Sequence, residues 1–261
     1  MLTRRQLCSL ALLPFYANAI EDKQKLFSAL SAKLSKQKMH FVYSSEYPPY
    51  SFLKNGKASG LKIDLVNYLF QQQLGIQVNH EFLPWNRAQY LIEGGQFDAM
   101  VAIPTPDRAR FTAASQNALY TTEIRKFVRN KDQRMDHIEQ LSDLKPYKIG
   151  THLGNSWARI KLEGLNVQFI AEPTALPRML LANRFDVVFL DSLVMQHLIR
   201  DQQFQKDIRE LPHSVEKANV HILIEKRSPF LPLLPFIDNE IMQMKQNGII
   251  KQFIHYYQSE L

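Results

Sequence analysis

Two residues of opposite charge end two near-copies of one phrase. The first copy reads Gln96-Phe97-Asp98-Ala99-Met100-Val101-Ala102-Ile103, then turns through Pro104-Thr105-Pro106-Asp107 to Arg108. The second reads Arg184-Phe185-Asp186-Val187-Val188-Phe189-Leu190-Asp191. A guanidinium is permanently charged, and its planar fork matches a carboxylate through two hydrogen bonds. A carboxylate receives an ammonium. If the two ends face one another, the pair grips a zwitterion such as a free amino acid. Each residue also has a plainer use. Arg108 could begin a surface helix, Arg110 is a nearby competitor for the carboxylate-binding role, and Asp191 could cap a helix starting at Ser192. Both readings stay open at this level. Asp98 and Asp186, where helix, turn and strand join, read as structural.

Other residues extend the list. Gly154-Asn155-Ser156 lead into a helix, and amides at a helix N-terminus attract anions. There is no Walker lysine and no repeated-glycine fingerprint, so a carboxylate suits Asn155 and Ser156 better than a nucleotide phosphate. Tyr47 and Trp85 lie beside Pro48 and Pro84 at loop–element junctions and are candidate pocket walls. For catalysis, His152 and Glu46 are possible acid–base groups without evident partners. No histidine pair has metal-ligand spacing, and no G-x-S-x-G elbow occurs. The expectation is a protein without catalytic residues, metal or cofactor.

These residues need elements to position them. An amphipathic helix is predicted over 20–37, with Leu26, Leu30 and Leu34 on its apolar face. A strand follows at Met39 to Ser44, then the aromatic Tyr47-Pro48-Pro49-Tyr50-Ser51-Phe52 segment and an Asn55-Gly56 turn. Helices are predicted at Ile63 to Leu74 and Trp85 to Glu93, with a strand from Ile76 to Phe82 between them. The pattern then restarts. Strands are expected at 124–128, 147–150, 167–171 and 220–224, and helices from Trp157, at 175–182 and at 192–200. A helical tail over 231–257 is broken at Gly248. Alternating strands and helices with short connections define an α/β fold with largely parallel sheets. Short apolar strands ending in polar residues place ligands at their carboxyl ends. Two crossings, near 123–128 and 218–224, divide the chain into one lobe of 20–123 plus 219–261 and a second of 124–218. Two crossings make a hinge.

The first nineteen residues read as an export signal. Arg4 and Arg5 precede an apolar run from Leu7 to Tyr16, and Ala17-Asn18-Ala19 forms a small-x-small cleavage site. Cys8, the only cysteine of the 261 residues, falls inside it. The mature chain then offers no disulfide and no thiolate. The signal removes two of 32 basic residues, leaving 30 against 25 acidic ones. They are dispersed without a basic run, which excludes a nucleic-acid footprint.

Taken in order, these segments resemble the bacterial extracellular solute-binding proteins of polar-amino-acid ABC transporters. The resemblance runs from about Met39 to the C-terminus. It rests on the Tyr47 to Phe52 segment, Gly60-Leu61-Lys62-Ile63-Asp64-Leu65, the Phe97 to Arg108 phrase, Gly154-Asn155-Ser156 and Phe185 to Asp191. It implies a two-lobe periplasmic-binding-protein fold of type II, with two sheets flanked by helices and joined by a two-strand hinge. It further implies that Arg108 holds a ligand carboxylate, assisted by backbone donors at Asn155 and Ser156. Asp191 takes the α-ammonium, and Tyr47 and Trp85 wall the side-chain pocket. The expected partners are a small amino-acid-like solute and an inner-membrane ABC permease, served by a periplasmic monomer. Two alternatives are a dehydratase-like enzyme on the same fold and a ligand-sensing partner of a membrane receptor. The chain departs from the family at Ala102, Ile103 and Pro104, which replace the usual Ser/Thr contacts before the arginine. Ala114 to Tyr120 matches the F-S-x-P-Y segment only loosely, and Pro84-Trp85-Asn86-Arg87-Ala88 resembles a divergent branch. The ligand therefore stays unnamed at this point.

Overall fold

The computed structural model describes residues 22, 24–44, 46–138, 140–212 and 215–259. The predicted signal, Cys8 and the start of the first helix lie outside them. Helix α1 covers residues 24–34. Its buried face differs from the expected one. Phe27 packs against Phe236 with ring centres 5.0 Å apart and Leu34 is buried, whereas Leu26 is 55% exposed. The face follows Phe27, Leu30 and Leu34, a three-then-four spacing that matches a 3.6-residue period better than strict fours.

Strand β1 (Met39–Ser44) is followed by a small antiparallel sheet of β2 (Glu46–Tyr47), β3 (Ser51–Lys54) and β4 (Lys57–Ser59). The turn expected at Asn55-Gly56 joins β3 to β4, both residues having positive φ (53° and 73°). Helix α2 (Leu61–Val66) then widens at Asn67–Gln73 into turns closed by i→i−5 bonds, such as Leu74 N–H to Leu69 C=O at 3.1 Å. The wider turns keep Leu65, Val66, Leu69 and Phe70 in the core. Strand β5 (Val78–Leu83), helix α3 (Trp85–Glu93), β6 (Ala99–Ala102), the single turn α4 (Pro106–Ala109) and β7 (Thr112–Ala114) complete the first half.

The second half contains β8 (Tyr120–Arg129), β9 (Ile149–His152), α5 (Ser156–Lys161), β10 (Val167–Ile170), α6 (Leu176–Leu181), β11 (Val187–Asp191) and α7 (Ser192–Asp201). Next come β12 (Ile208–Glu210), β13 (Glu216–Glu225), α8 (Leu234–Gln246) and α9 (Ile249–Ser259). The tail breaks at Gly248, where φ of +74° favours glycine. Among the described residues no helix is long and apolar enough to cross a membrane.

Two sheet halves share one strand order, β10-β9-β11-β8-β13-β6-β1-β5. Their inner pairs, β1 with β5 and β6 and β9 with β10 and β11, are parallel. The doubled phrase occupies the same place in each. The Asp98 amide donates to the His40 carbonyl at 2.9 Å, and its side chain accepts the His40 amide at 2.8 Å. Asp186 treats Lys148 identically, accepting that amide at 2.9 Å. Each aspartate pins the strand it precedes to the strand beside it. The structural reading of both therefore holds.

The halves meet through two antiparallel strands. Tyr120 to Ile124 of β8 pairs with Glu216 to Val220 of β13. Beyond that region β8 pairs with β11 and β12, while β13 pairs with β6 and β7. Both strands thus pass from one half-sheet to the other. The tail returns to the first half, where Tyr257 donates to Asp64 Oδ2 of α2 at 2.6 Å.

Candidate functional site

Arg108 owes its direction to a short, well-fixed turn. Thr105 caps α4, its hydroxyl accepting the Arg108 amide at 3.3 Å, and Pro106 opens the turn where its missing N–H costs nothing. The Thr112 hydroxyl donates to the Arg108 carbonyl at 2.8 Å. The side chain is only 5% exposed, so Arg108 is no surface residue. Its Nε donates to Gln89 Oε1 at 3.0 Å and its Nη1 to the Ile103 carbonyl at 2.6 Å. The guanidinium lies 5.1 Å from the Trp85 ring centre, a cation–π contact. Trp85 and Gln89 are one helical turn apart on α3, so a single helix face holds the group. Burial pushes its pKa down to about 10, and it remains cationic at neutral pH. Arg110, the competing cation, is exposed and pairs with Asp107 at 3.7 Å.

Asp191 caps a helix and also lines the cavity between the half-sheets. Its Oδ1 accepts the Val194 amide at 3.1 Å as the N-cap of α7, and its Oδ2 accepts the Tyr50 hydroxyl at 3.2 Å. It is 6% exposed, and burial raises its pKa to about 7 against the opposing pull of those bonds and of Lys62. Tyr50 also lies 3.3 Å from the Thr122 hydroxyl and stacks between Tyr47 and Tyr120, at 5.8 and 5.4 Å. Burial, with the Asp191 charge nearby, raises the pKa of all three phenols and keeps them neutral.

On the opposite side, Asn155 caps α5 and donates from Nδ2 to Thr151 Oγ1 at 3.0 Å. The backbone amides of Asn155 and Ser156 donate to the carbonyls of His152 (2.9 Å) and Gly154 (3.1 Å). They are therefore turned into the loop that precedes α5. A side chain at Gly154 would start 2.7 Å from His152 Cε1 and 3.1 Å from Trp85 Cδ1, so the loop approaches α3 closely. His152 packs against Tyr47 at 5.3 Å, and burial together with Lys62 lowers its pKa to about 4. The Glu46 side chain lies outside the described residues.

All seven sequence-selected residues, Tyr47, Trp85, Ala102, Arg108, Asn155, Ser156 and Asp191, line one cavity of about 320 Å³. That size suits a small molecule. The cavity lies between the half-sheets, with Tyr120, Thr122 and Val220 of the crossing strands on its floor. Tyr50 and Lys62, which the sequence shows only within the Tyr47 to Phe52 and Gly60 to Leu65 segments, line it as well. Gln89, which holds Arg108, was not considered, although its one-turn spacing from Trp85 was readable.

Two α/β halves joined by two continuous strands, with a small cavity at the junction, define a periplasmic-binding-protein fold of type II. The family model of the bacterial extracellular solute-binding proteins, family 3, matches residues 39–260, and the chain belongs to that family. No curated protein matches the sequence. Among solved structures, a mutant of the arginine-binding protein ArgBP from T. maritima superposes with a TM-score of 0.73 at 19% identity, covering 88% of this chain and 99% of that one. The ancestral amino acid-binding protein AncCDT-1, a precursor of cyclohexadienyl dehydratase, gives 0.71 at 21% identity over 88% and 99%. A histidine kinase sensor domain similar to periplasmic binding proteins gives 0.73 at 17% identity over 85% and 96%. At these identities the likeness concerns the fold.

Proposed function

We propose that the protein binds a free α-amino acid between Arg108 and Asp191 and delivers it to an inner-membrane ABC permease. The observation that carries this reading is that two buried, oppositely charged groups from different half-sheets line one small cavity. Two of the five guanidinium N–H groups of Arg108 are committed to Gln89 and Ile103, which leaves three for a carboxylate. Asp191 retains lone pairs for an ammonium after accepting from Val194 and Tyr50. Tyr47, Trp85 and Ala102 form the wall around the ligand side chain. Asn155 and Ser156 close the far side by packing, because their amides are bonded within the loop.

The two lobes are 20–123 with 219–261, and 124–218, hinged on β8 and β13. Residues 1–19 direct export and are removed, so the mature protein works in the periplasm. In this reading the protein acts as a monomer. Binding is preferred over turnover because His152, kept neutral far below pH 7, is poorly matched to acid–base work.

A thermal-shift screen of the standard amino acids and small carboxylates tests this function. A ligand at 100 times its Kd stabilises the folded state by about 2.7 kcal/mol, so Tm should rise by roughly 5 °C or more. The amino acid should be recovered unchanged. A new product in the mixture, or no shift with any amino acid, contradicts the proposal.

A further inference from the structure

The cavity contains a second cation that the amino-acid reading leaves unused. The start of α2 is stitched to the aromatic segment, because the Leu61 and Lys62 amides donate to the carbonyls of Pro49 and Tyr50, each at 2.9 Å. Gly60 permits this approach. Its φ is +121°, and a Cβ there would lie 2.5 Å from the Tyr50 carbonyl oxygen. Lys62 is thereby laid over the rings of Tyr47 and Tyr50, its Nζ 5.7 Å from each centre, and it lines the cavity. Among the described residues its ammonium has neither a hydrogen bond nor an ion pair.

The other charges facing this cavity are Arg108, Asp191 and Glu216, with His152 neutral beside them. Lys62 and Glu216 are both partly exposed, but the charges that act on Lys62 are those of Asp191 and Arg108, and Glu216 is not among them. Arg108, Lys62 and Asp191 therefore sum to one excess positive charge. A neutral zwitterion uses Arg108 and Asp191 and leaves Lys62 uncompensated. A ligand with one further negative charge pairs all three. A ligand with a cationic side chain would bring a like charge into a poorly hydrated space, which disfavours it.

We propose, resting on the amino-acid reading above, that the solute carries a second acidic group and that Lys62 receives it. Lys62 is then the specificity-determining residue for a dicarboxylic amino acid. Burial lowers the Lys62 pKa to about 8, so the bare ammonium is held under a penalty that an incoming carboxylate relieves.

Isothermal titration calorimetry at pH 7 tests this with L-glutamate and L-aspartate, L-glutamine and L-asparagine, L-arginine, and glutarate. The wild-type protein should prefer the acids over their amides by about tenfold or more, as expected for a charge-assisted contact. Lys62→Gln should bring the pairs to within about twofold. Lys62→Met, which keeps the aliphatic contact with the two tyrosines, should do the same. Equal or tighter binding of the amides, tight binding of L-arginine, or an acid preference that survives both substitutions overturns the role of Lys62 while amino-acid binding stands. Lys62-dependent binding of glutarate without any amino acid overturns the amino-acid reading and leaves Lys62 as the anion receiver. Binding of none of these overturns both.

Discussion

At Asp191 two demands pull one carboxyl in opposite directions. As a helix cap and ammonium receiver it should be ionised, yet it is buried and holds its proton up to about pH 7. In an unfolded chain an aspartate titrates near about 3.9. Between these values the folded state binds more protons than the unfolded state, so the contribution of Asp191 to apo stability falls as pH rises from about 4 to 7. Asp191→Asn keeps the cap, because asparagine caps as well as aspartate does. It should raise the apo Tm at pH 8 by roughly 2–4 °C per kcal/mol relieved, with little effect at pH 4. It should also remove amino-acid affinity. Scanning calorimetry from pH 4 to 8 checks the first part, and a variant less stable than wild type at pH 8 contradicts it. The sequence showed Arg108 and Asp191 as candidates because each ends an apolar strand phrase with an isolated charge. Lys62 was hidden because a lysine at a helix start reads as solvated. Its position over the Tyr47 and Tyr50 rings, fixed by the amide bonds to Pro49 and Tyr50, shows that it turns inward.

Among the elements, the clearest sequence signals were those fixed by local chemistry. Helix α3 begins and ends where Pro84, Trp85 and the Gly94-Gly95 pair place it. The doubled phrase gave β6 and β11, and the reciprocal bonds of Asp98 and Asp186 explain why it recurs. Elements made by distant pairing were less legible. The strand expected at 147–150 lies at Ile149–His152, because its register is set by β10 and β11. Between β8 and β9 the described residues form only a short 3₁₀ turn at Leu141–Leu144. Strand β12 has a weak sequence signal, since only Ile208 of its three residues is fully buried. Helix α9 is held to α2 by the Tyr257 hydroxyl on Asp64, and neither residue lines the cavity. Tyr257→Phe should cost about 1–2 kcal/mol in urea unfolding. Amino-acid affinity should not change, and a tenfold loss of affinity would mean that the tail reaches the site.

For the whole molecule, the hinge decides what the site can do. Arg108 and Trp85 belong to elements built on β5-β1-β6, whereas Asp191 and Asn155 belong to those built on β9 and β11. They come together only because β8 and β13 run through both half-sheets. Alternating strand and helix patterns revealed two halves and two crossings. They could not show that the cleft brings Tyr50 onto Asp191, because that contact joins residues 141 positions apart. The central claim is that Arg108 holds the carboxylate of an amino acid in this cleft. Its most direct test is calorimetric titration of wild type and Arg108→Lys with the amino acid that wild type binds best. Lysine keeps the charge but lacks the planar fork. The account expects one site per chain in wild type and an affinity loss of about 100-fold or more in the variant, on the order of 3 kcal/mol. Equal affinity in the two proteins would contradict it.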